Sequence, residues 1–165
     1  MLQNYLLEHG AQIGNDVFFG TNIYIDEGFE RFLEIEDGVV ISHGVSILLH
    51  DSSINNIMQR PIKVGKVKIC KNVYLGANTT ILCGVQIGEN SLIGAGSLVT
   101  KNITKNTLAY GVPAKEICHV SDLKVKNEIK NTEQIFYWDV IRWKDRQKKM
   151  NSFEEQNLYL LQIKW

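Results

Sequence analysis

Two prolines in 165 residues are too few for a low-complexity or linker-like chain. Three cysteines, Cys70, Cys83 and Cys118, are an odd number with no C-x-x-C spacing. That predicts reduced thiols in a cytoplasmic protein. No apolar run approaches the ~18 residues that span a bilayer. The opening stretch MLQNYLLEHG lacks a basic n-region and is not expected to be a secretory signal. Charge of either sign is not in excess, with 18 basic and 18 acidic residues, so neither nucleic acid nor a charged membrane is expected as partner. The nucleophile elbow G-x-S-x-G, the phosphate loop G-x-x-x-x-G-K-[ST] and the dinucleotide G-x-G-x-x-G after a strand are all absent. Histidine is scarce too. His9 and His119 flank the patterned region, and His43 and His50 lie within it. Two histidines seven apart with no third do not make a three-histidine zinc site, and no metal is expected.

What the chain does contain is a rhythm. From Val67 to Lys115 it reads VKICKNVYLGANTTILCGVQIGENSLIGAGSLVTKNITKNTLAYGVPAK. An aliphatic residue falls on every sixth position: Ile69, Leu75, Ile81, Ile87, Ile93 and Val99. Two places ahead of each stands a small or β-branched residue: Val67, Val73, Thr79, Val85, Ser91 and Ser97. A period of six fits neither a helix nor a flat strand; it predicts a hexapeptide-repeat β-helix.

The same beat starts at Ile13 and continues through Phe19 and Ile25, then Ile35, Ile41 and Ile47. Ile25 to Ile35 spans ten residues, which predicts an inserted corner loop at 27–32. Ile47 to Ile69 contains HDSSINNIMQRPIKVGK, polar and without rhythm, which predicts a long protruding loop over 50–66. Val99 to Ala109 is again ten residues, so a second corner insertion is expected at Asn102–Asn106. The expected organisation is an N-terminal cap over 1–12, a β-helix domain over 13–115 and a mostly helical extension over 116–165. In that extension Phe136, Val140 and Trp143 share a helical stripe, and Ser152 with Glu155 forms a capping box for a second helix.

Among residues able to carry chemistry, His50 stands where the rhythm breaks and the long loop begins, at an edge open to a substrate. A general base needs that kind of place, and a surface loop histidine fits the position equally well. His43 follows the beat residue Ile41 by two.

The segment GANTTILCGVQIGENSLIGAGSLVTKNITKNTLAYGVPAK closely resembles the hexapeptide acyltransferases. More narrowly, the chain is similar to the maltose and galactoside O-acetyltransferases and to sugar acetyltransferases of capsule and O-antigen gene sets. VSILLHD at Val45–Asp51 and PIKVG at Pro61–Gly65 match that last group, and the likeness runs from about Ile13 to Lys115. Cys70 departs from it, standing where glycine is common. The resemblance implies a left-handed parallel β-helix, a homotrimer with sites between subunits, acetyl-CoA as co-substrate and a sugar or polysaccharide acceptor. It implies His50 as general base and the Ala77 N–H as oxyanion donor. It implies Ala95 and Thr100 against the pantetheine, and Lys101 and Lys115 near the CoA phosphates, with Lys105 as a further candidate. Asn22, Asp51 and His43 are candidates for contacting the acceptor or orienting His50. An N-acetyltransferase for amines and a non-catalytic or metal-dependent β-helix remain as alternatives.

Overall fold

The computed structural model describes residues 2–123. The helices expected over Asn131–Lys149 and beyond Ser152 lie outside them. A short helix α1 (Leu2–Glu8) comes first, and Leu6 is its one buried residue. Three short strands then make one turn of the stack: β1 (Gln12–Ile13), β2 (Phe18–Phe19) and β3 (Tyr24–Ile25). The second turn is β4 (Leu33–Ile35), β5 (Val40–Ile41) and β6 (Ser46–Ile47). A hairpin follows, made of β7 (His50–Asp51), helix α2 (Ser53–Met58) and β8 (Lys63–Val64). The third turn is β9 (Val67–Ile69), β10 (Tyr74–Leu75) and β11 (Thr80–Ile81), and the fourth is β12 (Gln86–Ile87), β13 (Leu92–Ile93) and β14 (Leu98–Val99). β15 (Thr107–Gly111) and β16 (Ala114–His119) follow.

Like strands of successive turns pair in parallel and form three faces. The first sheet is β1-β4-β9-β12, the second β2-β5-β10-β13-β15-β16 and the third β3-β6-β11-β14. This is the left-handed parallel β-helix that the resemblance implies, built on the hexapeptide rhythm. Its interior is the beat itself: Ile35, Ile41, Ile47, Ile69, Leu75, Ile81, Ile87 and Ile93 are buried in one continuous column. Each such side chain contributes about 1.5–3 kcal/mol by leaving water. The companion positions sit where the chain bends and leave less room. Thr79 and Ser97 are buried there, and their hydroxyls donate to the carbonyls of Gly76 and Gly94 at 2.8 and 2.6 Å. Burial of these polar groups is therefore compensated.

An uninterrupted turn takes 18 residues, as where Ile69 lies under Ile87. The insertion expected at 27–32 is present and holds a 3-10 turn at Glu30–Phe32. In place of the long loop expected over 50–66, the chain forms a two-stranded antiparallel hairpin around α2. Its helix α2 buries nothing, and Ile57 is 84% exposed.

The corner after Val99 differs from expectation. Ile103 bridges Ile87 in the first sheet, and its amide donates to the Gln86 carbonyl at 2.9 Å. The six-residue step then resumes from Ile103 to Ala109. The corner is thus shortened by two residues and carries no insertion at Asn102–Asn106. A loop there would have exposed an isoleucine that the interior accepts. The end of the repeats also differs. Pro113 lies in the turn between β15 and β16, where no ladder donor is needed. The chain then reverses, and β16 pairs antiparallel with β15 through His119. Sheet structure therefore passes the expected limit at 115, and residues 116–119 are strand.

Candidate active site

The corners stack as regularly as the strands, and this decides which side chains meet. Between the second and third sheets, backbone bonds run from Gly44 N to Thr21 O, Asn78 N to His43 O and Gly96 N to Ala77 O, at 2.8–2.9 Å. Thr21, His43, Ala77 and the neighbourhood of Ala95 therefore form one vertical column. We call it the second corner. The sequence folds this way because Asn22, Gly44, Asn78 and Gly96 take positive φ there, a conformation that Asn and Gly adopt most readily.

Past the third sheet is another column, the third corner. Leu48 N donates to Ile81 O at 2.9 Å and Leu82 N to Val99 O at 3.0 Å. His50 stands at this corner on the second turn, and Thr100 and Lys101 stand above it at the end of the fourth turn. The hairpin leaves from His50 and returns at Gly65, whose amide donates to the Leu49 carbonyl at 3.0 Å.

His50 is held from the turn below. Asp26 follows β3, and Ile25 lies in register with Ile47 of β6. Its carboxylate, 2% exposed, accepts three hydrogen bonds on Oδ2: from Leu49 N at 2.6 Å, from His50 N at 3.0 Å and from His50 Nδ1 at 2.7 Å. An ionised carboxylate only accepts, so the proton between them is carried by Nδ1. In the neutral ring Nε2 then keeps its lone pair for a substrate. Phe29, from the inserted corner, stacks on the imidazole with centroids 4.7 Å apart and planes at 18°. The charge of Asp26 also raises the Tyr24 phenol above its ordinary value. Neither Asp26 nor Phe29 was marked by the sequence pattern. The signal was there for Asp26: it follows a beat residue, and one turn above it the chain reaches Leu48–His50.

Asp51 does not fill the orienting place. Its Oδ1 accepts the Ser53 amide at 2.9 Å, and the Ser53 side chain and amide hold its carboxyl below the usual carboxylate range. His43 is exposed, and its Nδ1 lies 2.7 Å from the Thr21 hydroxyl. Asn22 is exposed on the first turn of the same corner. Lys115 pairs with Tyr110 across the β15–β16 hairpin, and Lys105 is exposed beside the shortened corner. Among the described residues no three His, Cys, Asp or Glu side chains gather as a metal-ligand set. Nor is any described helix long and apolar enough to cross a membrane.

So most of the sequence-predicted residues fall into two groups, with Asp51, Lys105 and Lys115 outside both. His50, Thr100 and Lys101 share the third corner. Asn22, His43, Ala77 and Ala95 share the second. The full width of the third sheet separates the groups on one chain.

Comparison with known proteins gives the following. Residues 66–101 match the bacterial transferase hexapeptide (six repeats) family. The chain is 35% identical over 116 residues to a galactoside O-acetyltransferase of Escherichia coli K12, covering 63% of this chain and 57% of that protein. It spans 45 to 62% of the length of the curated relatives it matches. A solved maltose O-acetyltransferase from Clostridium difficile 630 superposes with a TM-score of 0.57 at 26% identity, over 71% of this chain and 73% of that one. A serine acetyltransferase from Brucella abortus strain S19, solved in complex with coenzyme A, superposes with a TM-score of 0.52 at 29% identity, over 67% and 40%.

Proposed function

The chain is a hexapeptide-repeat protein similar to the sugar O-acetyltransferases, and on that premise we propose that it transfers an acetyl group from acetyl-CoA to a hydroxyl of a sugar or polysaccharide in the cytoplasm. The observation that carries this is the Asp26–His50 pair at an open corner, with the Nε2 lone pair free for a proton. In the reaction Nε2 takes the proton of the acceptor hydroxyl as its oxygen attacks the thioester carbonyl. A C–O bond forms. The tetrahedral intermediate then expels the CoA thiolate, which the His50 imidazolium protonates. No covalent enzyme intermediate is needed. Asp26 holds the ring and steadies the imidazolium while it lasts.

The oxyanion needs a fixed donor. We assign this to the Ala77 N–H, which finds no acceptor among the described residues. Ala95 and Thr100 would line the pantetheine, and Lys101, Lys105 and Lys115 would offer charge to the CoA phosphates. Because His50 and Ala77 lie on opposite edges of one sheet, a complete site needs the third corner of one copy beside the second corner of another. A homotrimer provides three such sites. The outer face of the second sheet supports that assembly, since Phe18, Val40, Tyr74, Leu92 and Leu108 line up on it in register.

The test is a screen of purified protein with acetyl-CoA, reading free thiol release, against acceptors matched in shape but bearing a hydroxyl or an amine. Faster transfer to hydroxyls is expected. Preference for amines, or no CoA release with any sugar, overturns the proposal. Within the same assay Asp26→Asn is expected to lower kcat by roughly 10²-fold, with the KM for acetyl-CoA unchanged. Near-normal kcat would remove Asp26 from the mechanism.

A further inference from the structure

We propose that His43 is a specificity-determining residue for the acceptor: it binds a second hydroxyl, next to the one that His50 of a neighbouring copy deprotonates. The acceptor class is therefore a sugar or polyol with adjacent hydroxyls. This rests on the trimeric acetyltransferase reading above.

His43 and His50 belong to the same turn of the stack, His43 in the corner after β5 and His50 just past β6. A closed ring of copies about an axis along the stack keeps every residue at its own height. Setting the third corner of one copy against the second corner of the next therefore brings His50 level with His43 of the next copy. Ala77 lies one turn above His43, as the Asn78 N to His43 O bond of 2.9 Å shows. Adjacent strands are about 4.8 Å apart. An acetyl carbonyl set at Ala77 is thus one strand spacing above the His43 ring. Its attacking oxygen comes from the level of the two histidines.

His43 is built as a contact and not as a base. The Thr21 hydroxyl, 2.7 Å from Nδ1, fixes the ring from the turn below. Among the described residues no buried carboxylate stands behind it, in contrast to Asp26 behind His50. Nε2 is left as the second hydrogen-bonding atom of an exposed ring. A hydroxyl both donates and accepts, so it pairs with Nε2 in either tautomer. A hydrogen bond to a neutral partner in such a site is worth roughly two- to tenfold in affinity, and more when its loss strands a desolvated group.

The experiment compares wild type and His43→Ala on acceptors with two adjacent hydroxyls and on analogues with one. The expected result is a KM for the diol raised about tenfold, with kcat and the KM for acetyl-CoA little changed and the single-hydroxyl acceptor unaffected. Equal effects on both acceptor types would overturn the proposal. Loss of thiol release in the wild type with every acceptor would instead overturn the underlying function. A second measurement tests the pairing between copies. His43→Ala and His50→Ala chains are co-expressed to give mixed trimers. About one site in four then combines an intact His43 with an intact His50, and diol transfer at low substrate recovers to about that share of wild type. If both residues served from one chain, no site would hold both, and the absence of recovery would overturn the pairing.

Discussion

On the proposed mechanism, His50→Ala is expected to fold, assemble and bind acetyl-CoA as the wild type does, and to transfer acetyl groups at least ~10²-fold more slowly, up to ~10⁴-fold. The size follows from what is removed. A hydroxyl is a poor nucleophile while it keeps its proton, and the Nε2 lone pair is the base proposed to take it at that edge of the third sheet. The fold should not suffer. His50 is half-exposed and belongs to the hairpin, outside the column of interior aliphatics. Its loss does leave the Asp26 carboxylate with two backbone donors in place of three donors. The measurement is a pair of titrations, calorimetric binding of acetyl-CoA and initial rates of thiol release in the presence of a sugar. Intact binding with lost turnover is the expected result. Turnover within severalfold of wild type would dismiss His50 as the base.

The second large effect is on stability. Gly76→Ala places a methyl group on the Ala95 amide nitrogen and within 2.7 Å of the Ile93 carbonyl oxygen. Both are backbone atoms of the next turn, and neither can rotate away. The Gly76 amide also donates to that same carbonyl at 2.8 Å, so relief of the clash stretches a ladder bond. A cost of about 3 kcal/mol is expected, the upper end for overpacking, or a melting point lower by roughly 10 °C. Gly84→Ala is the control. It has open space around the new methyl but a φ of +83°. A left-handed conformation costs an L-residue about 1–2 kcal/mol. Denaturant titration of the two variants should rank Gly76→Ala as the more damaging. The reverse order would mean that close approach of the turns is not what demands glycine at 76.

The sequence made the stack legible because its period is set by geometry. The central interior column is filled by aliphatic side chains, and six residues separate one face from the next. Where the count departs from six, the pattern alone is ambiguous. Ten residues between Ile25 and Ile35 are a full step plus four, and ten between Val99 and Ala109 are a short step to Ile103 followed by a full one. The strand pairing resolves the two, and the buried aliphatic at 103 was the clue. The site was legible to the extent that it follows the chain. His50 stands out because the rhythm stops there. Asp26 and Phe29 did not stand out, since their contacts with His50 cross from one turn to the next. Such neighbours appear only when residues are counted by turns and not along the chain. Asp51 drew attention through adjacency, which in a strand sends successive side chains to opposite sides.

The two ends of the stack bear on the solution behaviour of the protein. A column of parallel strands has open edges and is a natural seed for end-to-end fibre growth. Here α1 lays Leu6 over the first turn, and β16 runs backwards along β15 on the second sheet. A second molecule arriving at that sheet meets an antiparallel strand carrying Lys115 and Glu116, out of step with the hexad lattice. Growth by adding like turns is blocked on that face, so concentrated protein should remain as discrete particles and should not form filaments.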